Sequence, residues 1–74
     1  MDTELHALLI EVEAYLVATG MGHSKFGKLV FNDGAVVRRM REGNPLTSTR
    51  MSAMRQFMVN NPPPAHQEAE DTAA

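Results

Sequence analysis

The chain has 74 residues, which is enough for one domain and too few for a deep substrate cavity. It contains no cysteine, which excludes disulfides, thiolate zinc sites and thiol nucleophiles. The net charge is only −2, but residues 1–19 carry −4, residues 20–60 carry +5 and residues 61–74 carry −3. Because contact with phosphate requires a basic surface, the central segment is a candidate for nucleic-acid binding.

The sequence predicts a first amphipathic helix over residues 3–19. Thr3 is a suitable cap for its start, and Gly20 supplies the usual stop. The acidic residues fall mostly on the side away from the apolar residues, which recur at helical spacing: Leu5, Leu8, Leu9, Val12 and Leu16.

Two short helices are predicted next, separated by the turn signal of residues 32–34. The second helix opens at residues 23–25 and directs three apolar side chains to the core: Phe26, Leu29 and Val30. The third covers residues 34–42, with Asp33 as its N-cap and Gly43 as its C-cap. Its predicted buried residues are Val36, Val37 and Met40.

A loop over residues 44–46 precedes a fourth helix that Thr47 or Ser48 caps and that runs to about Val59. Its apolar stripe is Met51, Met54, Phe57 and Met58. Residues 61–74 are rich in proline and then in acidic residues, and are predicted to be a disordered tail. The predicted fold class is therefore all-α: a small four-helix domain over residues 1–60 with a helix-turn-helix, followed by the tail.

The segment 20–27, Gly-Met-Gly-His-Ser-Lys-Phe-Gly, resembles the run that opens the second helix of the phage repressor and Cro (lambda repressor-like) helix-turn-helix family. In the same register, Asp33 falls on the cap of that family's recognition helix, Val37 and Met40 on its buried positions, and Gly43 on its closing glycine. The resemblance covers roughly residues 20–58. It implies a bacterial or phage transcriptional regulator that binds specific DNA sequences through the major groove.

Two positions depart from the family pattern. Gly27 stands where alanine is commonest, which suits close packing but weakens the helix by about 1 kcal/mol. Phe31 stands where the turn usually has glycine, and an aromatic residue adopts the left-handed conformation poorly. Asn32 adopts it more readily, so we expect the turn to be shifted or lengthened by one residue.

The resemblance places the base-contacting positions on Gly34, Ala35, Arg38 and Arg39. Ala35 is suited to a thymine methyl group, whereas the arginines, with Arg41, would supply the hydrogen-bond donors. The alternative is that the three arginines contact only phosphate or form a solvated face. The candidate phosphate contacts are His23, Ser24, Lys25 and Lys28; for the first three, simple helix capping is the alternative. This interpretation requires at least one of Arg38 and Arg39 to point outward, and it fails if both are paired with carboxylates or packed inside.

Other classes of function have little support in the sequence. The histidines are far apart, no carboxylate pair or phosphate loop is present, and we expect no catalytic residues, no metal, no cofactor and no small-molecule substrate. The acidic N-terminus and the lack of a long apolar run predict a cytoplasmic protein without membrane contact. Expected partners are double-stranded DNA and a second copy, through the fourth helix if its methionines are exposed. The competing hypothesis is a protein–protein interaction module, such as a small adaptor or an antitoxin-like protein.

Overall fold

The computed structural model describes residues 3–63, and over this range the chain forms four α-helices and no strand. These are α1 (Thr3–Thr19), α2 (His23–Phe31), α3 (Val36–Arg41) and α4 (Ser48–Asn60). The predicted all-α, four-helix fold class is confirmed. The third helix is shorter than the predicted 34–42, because residues 34 and 35 form a turn before the helix begins.

The predicted signals at the helix ends are confirmed at three positions. Gly20 and Gly43 have φ of 71° and 90°, in the left-handed region that favours glycine. In both cases the amides of the glycine and of the next residue donate to carbonyls of the last helical turn, as in a Schellman motif. At the start of α4, the Thr47 hydroxyl accepts the amide N–H of Arg50 at 3.2 Å. Local chemistry therefore sets where these helices stop and start.

The core lies between α1 and the three shorter helices. Its buried side chains are Leu5, Leu8, Val12, Tyr15, Leu16, Phe26, Val36, Val37, Met40, Met51 and Met54. One predicted core residue is misplaced: Leu29 is 53% exposed, because α2 instead turns Gly27 and Val30 toward its neighbours. Tyr15 was not among the predicted core residues, although it follows Val12 by one helical turn.

An aromatic cluster joins α1, α2 and α4. The ring of Phe26 lies 5.7 Å from that of Tyr15 and 5.6 Å from that of Phe57, measured between centroids. The Tyr15 hydroxyl donates to the carbonyl of Asn61 at 2.6 Å, just beyond the end of α4. The folded unit thus extends past the predicted boundary at residue 60; the rest of the predicted tail, residues 64–74, lies outside the described residues.

The methionines of α4 fill the core. Met51 and Met54 are buried, and Met58 is partly buried against the same cluster. Core filling was the expected role of these flexible side chains in a small domain. A dimer through α4 was expected only if these methionines were exposed. Because they pack in the core, the α4 stripe is not available as a dimer surface.

The turn between α2 and α3 passes unusually close to α2. A β-carbon added at Gly27 would lie 2.2 Å from the carbonyl oxygen of Asp33 and 2.9 Å from Val36 Cγ1. Asn32 takes the left-handed conformation, with φ 59° and ψ 35°, so the turn is displaced by one residue as expected. This displacement brings the Asp33 carbonyl over Gly27. Position 27 therefore requires glycine, because any side chain would occupy the space of that carbonyl.

No single helix within residues 3–63 is long and apolar enough to cross a membrane. Together α1 and α2 reach the necessary length and composition, but they meet at a bend of 111°.

We predict that Gly27→Ala destabilises the fold by about 1–3 kcal/mol, because the backbone of the turn must move away from the added methyl group. Helix propensity alone predicts that the same substitution stabilises the fold, because it favours alanine over glycine by about 1 kcal/mol. Thermal unfolding followed by circular dichroism decides between them. Lys25→Ala, at an exposed position of the same helix, is the matched control and should change stability by less than about 0.5 kcal/mol.

Candidate nucleic-acid interface

The three arginines of α3 point in three different directions. Val36, Val37 and Met40 are buried and define the inner side of this helix. With 3.6 residues per turn, Arg38 falls opposite that inner side, while Arg39 and Arg41 fall on its two flanks. Arg38 is exposed and forms no ion pair with the described part of the chain. It therefore meets the condition that the sequence analysis set for a base-contacting side chain.

Arg39 does not meet that condition. Its guanidinium forms a salt bridge with the carboxylate of Asp33, whose other oxygen accepts the Ala35 N–H at 3.0 Å. The bonds from Arg39 and then from the Ala35 amide hold the pKa of Asp33 below its usual value. Asp33 is structural, but the predicted N-cap assignment is wrong: α3 begins at Val36 with Ala35 as its N-cap, and Asp33 instead holds the turn before the helix. The side chains are 41% and 29% exposed, so water screens this pair.

Arg41 is also committed to a carboxylate. Its guanidinium donates two hydrogen bonds to Glu13 of α1, at 2.7 and 2.8 Å. These bonds lower the pKa of Glu13, and the nearby charge of His23 acts in the same direction. His23 is half-buried, with its Nδ1 atom buried and unpaired. Arg41 was predicted to be a free donor for DNA; in the structure it is bonded to α1, and His23 lies near the same carboxylate.

The remaining predicted residues come together at the turn. A β-carbon at Gly34 would lie 2.9 Å from Ser24 Oγ and 3.3 Å from Lys28 Cε, so the second helix and the turn are in contact there. Ala35 is the N-cap of α3: its own backbone is not helical, but its carbonyl accepts the Arg39 N–H, so Arg38 lies in the first turn of the helix, three residues after Ala35.

Arg50 was not among the predicted DNA contacts, yet it lies at the same turn. Its guanidinium carbon lies 4.9 Å from the centroid of the Phe31 ring, at the end of α2, in cation–π geometry. Its charge also contributes to the lowered pKa of Asp33. The sequence contained part of the evidence for this contact, because Phe31 is an aromatic residue at a position where a turn residue is expected. Arg55, by contrast, pairs with Glu11 of α1 at 3.4 Å.

We call this surface the basic face. It comprises side chains and small residues from α2, the turn, α3 and the first turn of α4: Ser24, Lys25, Lys28, Gly34, Ala35, Arg38, Arg39 and Arg50. Ser24, Lys25, Lys28, Arg38 and Arg50 are exposed, and Gly34, Ala35 and Arg39 are half-buried. Contacts at the turn join Ser24 and Lys28 to Gly34. The Asp33 carboxylate joins Ala35 and Arg39, whereas Arg41 is bonded to Glu13 of α1.

Chemically, the basic face presents positive charge and hydrogen-bond donors around the outer side of α3. Such a surface is suited to a polyanion. Within residues 3–63, no group of three or more histidine, aspartate or glutamate side chains is placed to hold a metal ion. No family model, curated protein or solved structure matches this chain.

The two carboxylates that bind arginine on α3 make the fold sensitive to acid. Because the pKa values of Glu13 and Asp33 are lowered on folding, their ionised forms stabilise the protein at pH above the ordinary carboxyl pKa. That contribution is lost as the pH falls through the folded-state values. We predict that the melting temperature decreases from pH 6 to pH 3. The decrease should be shallower in the double variant Glu13→Gln/Asp33→Asn, and an unchanged slope would contradict this assignment.

Proposed function

We propose that the protein is a cytoplasmic, sequence-specific DNA-binding regulator of transcription that inserts α3 into the major groove. The observation that carries this proposal is the position of Arg38. It is exposed on the outward side of a helix that follows a tight turn, and it is unpaired within the described residues. Cations of α2 and α4 lie at that turn: Lys28 reaches Gly34, and Arg50 lies over the ring of Phe31. A helix-turn-helix protein places its second helix of the pair in the groove in this way.

In this arrangement α2 crosses the sugar-phosphate backbone, where Lys25, Lys28 and Ser24 contact phosphate. Ala35 has a small side chain, so the start of α3 can approach the base pairs closely, and its methyl group fits that of thymine. Gly34 instead lets Ser24 and Lys28 of α2 pack against the turn. Arg38 is then the donor for a guanine, which it can contact with two hydrogen bonds.

Arg39 has a different role in this proposal. In the free protein it holds Asp33 and thereby the turn. An exposed ion pair is weak because water screens it, so a phosphate group can compete with the Asp33 carboxylate for the guanidinium. Arg39 then adds to phosphate binding without specifying a base.

A second candidate function is a protein–protein interaction module. It is favoured by the large apolar side chains on the surface, of which Val17 is 84% exposed and Val59 71% exposed. It is also favoured by the commitment of Arg39 and Arg41 to carboxylates, which reduces the free positive charge of α3. A module of this kind would not bind duplex DNA in a salt-dependent manner.

The first test is DNA binding by the full chain, measured by fluorescence anisotropy with a labelled random duplex at several salt concentrations. Affinity should fall steeply with salt, with a slope of about −0.9 for each phosphate contact. Arg38→Ala should lose about 1–3 kcal/mol on a selected, guanine-containing site. Arg55→Ala removes the same charge from the far side and should bind as the parent does. A parent chain without salt-dependent binding would exclude the DNA hypothesis and favour the interaction module.

A second test concerns the competition for Arg39. Asp33→Asn keeps an oxygen that can accept the Ala35 N–H but removes the charge that holds the guanidinium. We predict that it binds random duplex roughly two- to fivefold more tightly at low salt. The control Glu42→Gln removes the same charge from the C-cap of α3 without releasing Arg39, and should have a smaller effect. Equal effects in the two variants would show that only net charge matters.

A further inference from the structure

The side of α1 that faces away from the core is apolar. The core side of this helix is given by Leu5, Leu8, Val12 and Leu16. Four residues on the opposite side are spaced by three, four and three positions along the helix. All of them are exposed: Ala7, Ile10, Ala14 and Val17. Ile10 is 58% exposed and Val17 84%. A helix that is apolar on two sides is normally buried on both, so this second stripe calls for a covering partner.

The stripe is complementary to itself. A spacing of three, four and three residues is that of a helix–helix seam. Ile10 and Ala14 are equally distant from Val12 along the chain, and so are Ala7 and Val17. In an antiparallel pair of α1 helices centred on Val12, each large side chain therefore meets an alanine of the other helix. A parallel pair would place alanine against alanine and leave gaps, and gaps weaken packing.

Charge does not oppose this pairing. Glu11 and Glu13 lie on α1 beside the stripe, and each is already neutralised by an arginine of its own chain, Arg55 at 3.4 Å and Arg41 at 2.7 Å. Two copies can approach without bringing these carboxylates together unpaired.

Other occupants fit the stripe less well. The first 19 residues contain no lysine or arginine, which disfavours nucleic acid and an anionic membrane surface. Residues 64–74 have no large apolar side chain to place on it.

We propose that α1 packs antiparallel against α1 of a second copy of this chain, about a two-fold axis at Val12, through Ala7, Ile10, Ala14 and Val17. This inference rests on the apolar stripe and does not depend on DNA binding. The groove between α1 and α4 adjoins the stripe and shares Ala14 with it; its volume is about 460 Å³, and Val59 and Pro63 lie along its other side. It continues the same interface.

The size of the stripe sets the expected strength. At 1.5 Å per residue, the 17 residues of α1 span about 25 Å, and a stripe about 10 Å wide on each copy gives roughly 500 Å² in total. Stable complexes bury at least about 1,200 Å². Because the stripe alone falls short of this area, we expect a weak dimer.

Sedimentation velocity of the full chain, from about 10 μM to 1 mM, measures this association. The average mass should rise toward the dimer. Val17→Glu places a charge in the seam and should weaken association at least tenfold, whereas Leu29→Glu, at an exposed apolar position of α2, should leave it unchanged. Both positions are exposed, so circular dichroism should show folded monomers. A monomer at 1 mM, or equal effects of the two substitutions, would overturn the proposal.

The antiparallel register is tested by oxidative crosslinking, which the absence of cysteine makes clean. Ile10→Cys and Ala14→Cys are prepared as single variants. A mixture of the two should crosslink faster than either alone, since disulfides require Cα atoms within about 7 Å. Faster linkage of Ile10→Cys to itself would indicate a parallel pair and overturn this register. If the chain is monomeric yet binds duplex, the dimer proposal fails and the DNA proposal stands.

Discussion

The contact between the backbone of the turn and Gly27 is the constraint on which the rest of the structure depends. The Asp33 carbonyl occupies the space that a side chain at position 27 would need. The amide of Asp33 donates to the carbonyl of Gly27 at 3.2 Å, so the two segments are bonded as well as close. With the turn held there, α3 can bury its valines and Met40 and leave Arg38 outside. Loss of this contact would first change the direction of α3. The set of residues exposed at the surface would change only as a result.

Electrostatics then divides the cations of the chain into two groups. The acidic first helix supplies Glu11 and Glu13, which hold Arg55 and Arg41 against the body of the domain. Asp33 restrains Arg39 in the same way at the turn. Positive charge without a carboxylate partner in residues 3–63 remains on Lys25, Lys28, Arg38 and Arg50. The negative helix therefore concentrates free positive charge on one face, although the net charge of the whole chain is negative.

The four helices could be predicted because local signals bound most of them. Gly20, Gly43 and Thr47 act within a few residues of their own positions, and apolar periodicity identified most of the core. The errors concern tertiary relations. Leu29 and Gly27 are close together on α2, and only the path of the turn decides which of them faces inward.

The candidate site was predictable in outline for the same reason. The positions of the basic residues follow from the sequence, but their partners do not. Arg41 and Glu13 are 28 residues apart, and nothing local to either predicts that they meet. Arg50 and Phe31 are 19 residues apart, which is why the place of Arg50 on the basic face emerged only from the structure.

The aromatic cluster has a consequence of another kind. Tyr15 is the single tyrosine of a chain that has no tryptophan, so it is the chain's intrinsic fluorophore. Its ring packs against Phe26 and Phe57, and its hydroxyl is bonded to the carbonyl that follows α4. The fluorescence of Tyr15 therefore reports the packing of α4 against α1, and it does so without an added label.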